Sequence, residues 1–284
     1  MRTWITIVVV GAGCLVACGP GARPNGDEGS VVDAPPCGAI AEVCDDGIDN
    51  DCDARPDCSD PDCSGVGDCP VCGAVDNPES QPLSLPDGIS SGAACSTDAQ
   101  CTVATAPNCV AKECHASYTS TLDFIGFAQG ATLTDPSKLL GVCVTIEHSW
   151  LRDLQVELIT PAGAVFILRK FVDRLGNEIY LGHANDNDLP ETPVAGQGYE
   201  YCWTPTATQD MYTANMEDWM NNLVLPAGSY GSSAPWSALT GAPLNGMWTM
   251  RVTDLWREDN GFMFAWKIAF DPSLVPDCSG PIIQ

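Results

Sequence analysis

The sequence predicts a mainly β protein, an antiparallel β-sandwich with a small disulfide-stapled N-terminal region, and three observations predict it. Apolar residues recur at every second position in Val142-Cys143-Val144-Thr145-Ile146 and in Leu154-Gln155-Val156-Glu157-Leu158. The same alternation puts Phe262, Phe264, Trp266, Ile268 and Phe270 on one face and Met263, Ala265, Lys267 and Ala269 on the other, and a period of two marks half-buried strands. Seven of the eight tryptophans and every phenylalanine lie within residues 117–272, a stretch of ordinary single-domain size that holds enough to build a core. Eleven of the 16 cysteines lie between Cys37 and Cys114, where large apolar residues are scarce, so cross-links or metal must replace a core there.

Residues 1–17 have the form of an export signal: Arg2 near the start, a short apolar run, and small residues ahead of Cys18. The segment is too short to span a bilayer. Leu15-Val16-Ala17-Cys18 resembles the bacterial lipobox, which implies lipidation of Cys18, export, and anchoring to the bacterial cell envelope at the outer membrane or cell surface. An ordinary signal peptide with an unlipidated Cys18 is the alternative. Each acyl methylene buried in a membrane contributes ~0.8 kcal/mol, so more than one chain makes a stable anchor. Losing Cys14 and lipidating Cys18 would leave an even number of cysteines, as disulfides in an oxidising compartment require. Residues 18–36 are rich in Gly, Pro and acids with almost nothing to bury, and read as a flexible tether.

Residues 37–72 form a Cys/Asp-rich module. From Asp49 to Asp60 the spacing matches a twelve-position calcium loop whose ligands fall at 1, 3, 5, 7, 9 and 12. Asp49, Asp51, Asp53, Asp57 and Asp60 occupy positions 1, 3, 5, 9 and 12, and Arg55 stands at position 7, where only a backbone carbonyl is used. Hard carboxylate oxygens favour calcium over metals that prefer softer ligands. Ala54 replaces the turn glycine of an EF-hand, Asp60 is shorter than the usual Glu, and no amphipathic helices flank the loop. The run from Cys44 to Ala54 resembles the thrombospondin type 3 repeat and the C-D-D-G-x-D-N-D-C-D-G repeats of bacterial surface proteins, a framework that Cys44, Cys52, Cys58 and Cys63 match. An acidic, solvated, disulfide-held loop is the plainer reading, but so many crowded carboxylates would repel one another without a cation.

Residues 73–116 are a second Cys-containing segment. Cys69-Pro-Val-Cys72 has the spacing of redox or zinc sites but lacks a partner pair and a βαβ context, which favours plain disulfides. Cys143 and Cys202 are the only cysteines of the sandwich region and are expected to pair, and Cys278 is expected to reach back to the Cys37–Cys114 region. Within residues 117–272 a short helix is expected over Asp210–Asn222. Trp248, Met250 and Val252 alternate like the final strand, and Asp259-Asn260-Gly261 suits a tight turn, so the two strands are expected to form a hairpin or neighbouring sheet strands. The loop from His183 to Asp188 offers Asp186 and Asp188, with Asn185, Asn187 and Asp254, as a weaker calcium candidate; such residues also make plain surface turns. Residues 273–284 are a C-terminal tail.

Several spaced motifs across about 150 residues carry a resemblance. His148-Ser149-Trp150-Leu151-Arg152-Asp153-Leu154, Leu158-Ile159-Thr160-Pro161-Ala162-Gly163, Pro243-Leu244-Asn245-Gly246-Met247-Trp248, Val252-Thr253-Asp254 and Ala265-Trp266 are similar to the P domain (P/Homo B) of proprotein convertases. Gly198-Tyr199-Glu200-Tyr201-Cys202-Trp203 looks like a bacterial subgroup in which such domains decorate secreted and surface proteins. The resemblance implies a jelly-roll β-sandwich, often calcium-assisted, that in proteases follows and stabilises a subtilisin-type catalytic domain. Arg152 stands where the family usually has Gly, and Thr160 where it has Ser.

A formal charge of −25, from 37 acidic against 12 basic side chains, disfavours nucleic-acid binding, which needs a basic face. A catalytic triad needs a nucleophile, a base and an orienting acid together. None of His115, His148 and His183 sits in a subtilisin-like motif, so no catalytic residues are expected, and a serine-endopeptidase label would be inherited from the family's protease neighbours. The sequence thus leads to a non-catalytic, calcium-stabilised envelope lipoprotein whose sandwich meets an extracellular or periplasmic protein or glycan. The alternative is an accessory P domain serving a separate subtilisin/kexin-like protease.

Overall fold

In a computed structural model the chain divides into two units, residues 1–36 and 37–284, and the structure describes residues 41–172, 175–185, 192–278 and 282–283. Cys18, Asp186 and Asp188 lie outside the described residues. Fifteen strands are described, with short 3₁₀ turns between them. They are β1 (Ala74–Ser84), β2 (Ser90–Ala94), β3 (Asn108–Val110), β4 (Glu113–His115), β5 (Tyr118–Phe124), β6 (Leu139–His148), β7 (Leu154–Ile159), β8 (Val165–Arg169), β9 (Tyr180–Leu181), β10 (Tyr199–Trp203), β11 (Glu217–Trp219), β12 (Asn222–Leu225), β13 (Gly228–Tyr230), β14 (Gly246–Asp254) and β15 (Gly261–Phe270). The largest sheet runs β1-β15-β6-β9-β12-β11, with β10 beside β6 and β13 beside β10; the second runs β5-β14-β7-β8; β2, β4 and β3 form a third. No helix of the described residues is long and apolar enough to cross a membrane.

The first two sheets make a β-sandwich. Val142, Val144 and Ile146 of β6 face Leu154, Val156 and Leu158 of β7 and Trp248, Met250 and Val252 of β14 across one continuous core. Phe270 closes one end, its ring edge-on to Phe124 at 5.4 Å and to Phe127 at 5.0 Å, the geometry aromatic quadrupoles favour. Trp248 donates its ring N–H to the Leu244 carbonyl and Trp266 to the Ser120 hydroxyl, both at 3.0 Å, so each brings a satisfied polar atom into the core.

Three expectations from the sequence are corrected. β14 and β15 are neither a hairpin nor hydrogen-bonded neighbours: β14 lies in the second sheet and β15 in the first. The left-handed backbone between them is at Glu258, φ 102°, so the chain crosses from sheet to sheet. Asp210–Asn222 is not helical. A turn leads into the hairpin of β11 and β12, whose tip residues Met220 and Asn221 both have positive φ, 53° and 71°, the primed-turn geometry that matches strand twist. Within β15 the alternation breaks at a bulge between Met263 and Ala265. Met263 is therefore fully buried and Phe264 is half-buried, because one extra residue in a strand exchanges its faces.

The segment 73–116 is also less separate than its composition suggests. β1 pairs antiparallel with β15 from Ala74↔Ala269 to Ser84↔Phe262, so the large sheet begins well before residue 117. The β3–β4 end of the three-stranded sheet lies beside β7 and β14 of the second sheet, and the 3₁₀ turn between β2 and β3 is joined to that sheet through Arg251. That guanidinium is 2% exposed and donates to Glu157 at 2.6 Å and to Asp98 at 2.8 Å. Every described cysteine is in a disulfide. The pairs include Cys44–Cys63, Cys58–Cys69, Cys95–Cys109 and Cys101–Cys114. Cys143 bonds Cys202 directly across β6 and β10, and Cys72 bonds Cys278. The two cysteines of Cys69-Pro-Val-Cys72 thus bond to different partners.

Candidate metal centre

The loop from Asp49 to Asp60 is held by disulfides at Cys44, Cys52 and Cys58, and its backbone is wound through left-handed residues. Gly47, Cys52, Ala54 and Asp57 have φ of 74°, 65°, 78° and 50°. Ala54, standing where an EF-hand has its glycine, nevertheless adopts the conformation that glycine usually supplies. These turns aim backbone N–H groups at the carboxylates: Ala54 donates to Asp49 Oδ2 at 3.0 Å, Asp53 to Asp51 Oδ1 at 3.2 Å, and Asp62 to Asp60 Oδ1 at 2.6 Å.

Carboxylate oxygens gather in two sets, each lying within 4.8 Å of one another: Asp49, Asp51 and Asp53 in one, Glu42, Asp51 and Asp60 in the other. Each set contains a buried oxygen with no hydrogen-bond partner, Asp49 Oδ1 in the first and Asp60 Oδ2 in the second. Asp60 is only 1% exposed. Burial above all pushes its carboxyl pKa up, with the negative charges of Asp53, Asp51 and Asp62 adding to the effect and the Asp62 N–H opposing it. A buried, unpartnered carboxylate oxygen facing further carboxylates is costly by itself. A hard divalent cation is the partner such a donor set fits.

Two residues change role relative to the sequence reading. Asp57 belongs to neither set: its Oδ1 accepts from the backbone N–H groups of Asp46 and Gly47, both at 3.0 Å, so it ties down the turn before the loop. Glu42, outside the twelve positions, joins the second set, and its two oxygens also accept from Asn50 N at 2.8 Å and Asp57 N at 2.9 Å. Its signal in the sequence is an acid two residues ahead of Cys44, whose bond to Cys63 returns it to the far end of the loop.

The three histidines occupy distinct settings. His148 and Asp254 are both fully buried, with the ring Nε2 3.3 Å from Asp254 Oδ2. Nδ1 accepts from the Trp150 N–H at 3.0 Å, which leaves the ring proton on Nε2 to donate to Asp254. Burial lowers the His148 pKa to about 4, so at neutral pH this is a neutral imidazole with both nitrogens engaged. His115 is also buried, and burial lowers its pKa, against the raising effect of Glu113. His183 meets the Tyr199 hydroxyl at 2.8 Å through Nε2 and stacks flat on Trp219.

The two departures from the P-domain motifs find local accommodation. Arg152 sits in a 3₁₀ turn, Leu151–Asp153, with its guanidinium 4.5 Å over the Tyr212 ring. Thr160 opens a turn that Gly163 closes at φ 80°, and its Oγ1 accepts from Ala164 N at 3.2 Å.

No protein family matches the sequence, and no curated protein matches it. Among solved structures, the chain is similar to the serine protease of Aeromonas sobria, both alone and in the complex with its chaperone, ORF2. Identity is 14% and 15% respectively, the TM-score is 0.24 in both, and 71% of this chain is covered. The chain spans little more than a quarter of the length of these structures, 27% and 28%.

Proposed function

We propose that this chain is a non-catalytic, calcium-stabilised lipoprotein of the bacterial cell envelope that presents a P-domain-like sandwich to an extracellular protein or glycan. The observation that carries the calcium assignment is the pair of unpartnered buried oxygens, Asp49 Oδ1 and Asp60 Oδ2, each inside its own set of carboxylates. Asp49, Asp51, Asp53, Asp60 and Glu42 would hold the ion, which supplies the positive charge those oxygens otherwise lack. Asp57 organises the backbone around it. The Leu15-Val16-Ala17-Cys18 run supports the lipid anchor, and the spaced motifs from His148 to Trp266 support the P-domain assignment. A non-catalytic role is supported by His148, whose two ring nitrogens are already engaged in a fully buried position.

Calorimetric titration of the chelated protein with calcium is expected to give saturable heat and a raised melting temperature. Both should be lost in the Asp49→Ala/Asp51→Ala double variant, and equal binding by that variant and the native chain would overturn the assignment. The P-domain motifs also favour a second reading, an accessory domain acting with a separate subtilisin-like endopeptidase. Cross-linking on intact cells separates the two, since recovery of such a protease would promote the second reading over the first.

A further inference from the structure

At the edge of the large sheet, where β9, β11 and β12 meet, lies an open cleft of about 520 Å³. Its aromatic side is the His183–Trp219 stack, with ring centroids 4.4 Å apart, planes 4° from parallel, and both residues partly exposed. Tyr199 fixes the stack by its hydroxyl bond to His183. Its polar side carries Asn185, Gln197 and Asn222, whose side-chain amides bond to no other described residue. The backbone that carries these side chains is tied together. Strand-like hydrogen bonds join the backbones of His183 and Gln197, and a Cβ at Gly196 would lie 2.1 Å from the His183 carbonyl oxygen. Behind it the fully buried Glu147 accepts from the Gly196 N–H at 3.4 Å.

We infer that this cleft binds a neutral saccharide, with a pyranose ring laid against the His183–Trp219 stack and its hydroxyls taken up by the three amides. Each requirement of such a ligand has a counterpart in the cleft. The C–H face of a sugar packs on an aromatic face, and planar rings offer that area at little entropic cost. A hydroxyl both donates and accepts, and so does a primary amide, whereas a lysine or arginine only donates. Among the described residues no lysine or arginine lines the cleft, which argues against a phosphate or carboxylate ligand. The volume lies in the range of small-molecule sites and suits one or two sugar rings. This inference rests on the presentation role proposed above and takes its glycan branch, but it does not rest on the calcium site.

The test uses the whole exported chain in saturating calcium and follows tryptophan fluorescence and calorimetric heat on adding cellobiose, maltose, chitobiose or lactose, with sialyllactose as the charged comparison. At least one neutral disaccharide is expected to bind saturably. Trp219→Ala should weaken that binding at least tenfold and Gln197→Ala several-fold, with the melting temperature of each variant confirming that it folds. The inference is overturned by no saturable response to any neutral sugar, by tighter binding of sialyllactose, or by unchanged affinity in Trp219→Ala. A proline-rich peptide that binds the cleft in place of every sugar would also overturn it. Calcium heat measured on the same samples keeps the outcomes apart: sugar binding can fail while calcium binding stands, and the reverse.

Discussion

Asp60 concentrates the electrostatic tension of the loop in one side chain. Its pKa in the folded state lies above the ordinary 3.8, so its contribution to stability is fully present below about pH 4 and is lost as pH rises through the raised value. The ion-free protein should therefore melt at progressively lower temperature as pH rises from about 4, relative to an Asp60→Asn variant, which carries no charge there. With calcium added, the native chain should regain the advantage at neutral pH, because the cation favours the ionised form. Melts in chelator and in calcium across this range check both halves. A chelated native chain that tracks Asp60→Asn at every pH would remove the buried-charge account. How far this site was legible is a matter of side-chain direction. The spacing of Asp49, Asp51, Asp53 and Asp60 places four acids in one loop, and those four enter the oxygen sets. Spacing does not say which way Asp57 points or that a disulfide returns Glu42, since both depend on how the chain closes in three dimensions.

Among the elements, the Asp49–Asp60 loop carries a correctable strain. Ala54 is exposed and left-handed at φ 78°, which costs an L-residue roughly 1–2 kcal/mol, while glycine there would return about 0.5–1 kcal/mol through its unfolded-state freedom. Ala54→Gly should stabilise the protein by up to about 1 kcal/mol, a rise of roughly 2–4 °C in a thermal melt; a fall in melting temperature would show that the methyl group makes a favourable contact. The strands show where periodicity suffices and where it does not. β6 and β7 follow their alternation, because their register is set by a buried face. The bulge in β15 exchanges Met263 for Phe264 with no local mark in the sequence, since a bulge is fixed by the partner strand. The short helix expected over Asp210–Asn222 does not form: Trp219 lies in a strand and stacks on His183, and the Met220-Asn221 tip turns the chain back. Tertiary packing overrides a weak propensity at such a length.

For the whole molecule the decisive link is Cys72–Cys278, which closes a loop of 206 residues. The entropy removed from the unfolded chain by a closure of that length corresponds to about 5 kcal/mol. Cys278→Ser is expected to lower the melting temperature by roughly 10–20 °C, and a loss of only a degree or two would mean that the unfolded chain is already constrained by the remaining bonds. The composition of residues 37–116 made their dependence on cysteines plain, but not their position. β1 is an integral strand of the large sheet, and the β3–β4 end of the three-stranded sheet lies beside the second.

That arrangement has a practical corollary at Arg251. Its guanidinium reaches Glu157 on the sandwich and Asp98 in the 3₁₀ turn between β2 and β3, and β15 hands its outer edge to β1. A fragment begun at residue 117, where the aromatic-rich composition starts, would therefore uncover a row of unpaired strand hydrogen-bonding groups and release a cation from one of its two anchors. Such an edge templates self-association. The region that looks like a preface in the sequence thus acts as the sandwich's own guard against aggregation, and a shuffled or recombined gene would have to carry both pieces together.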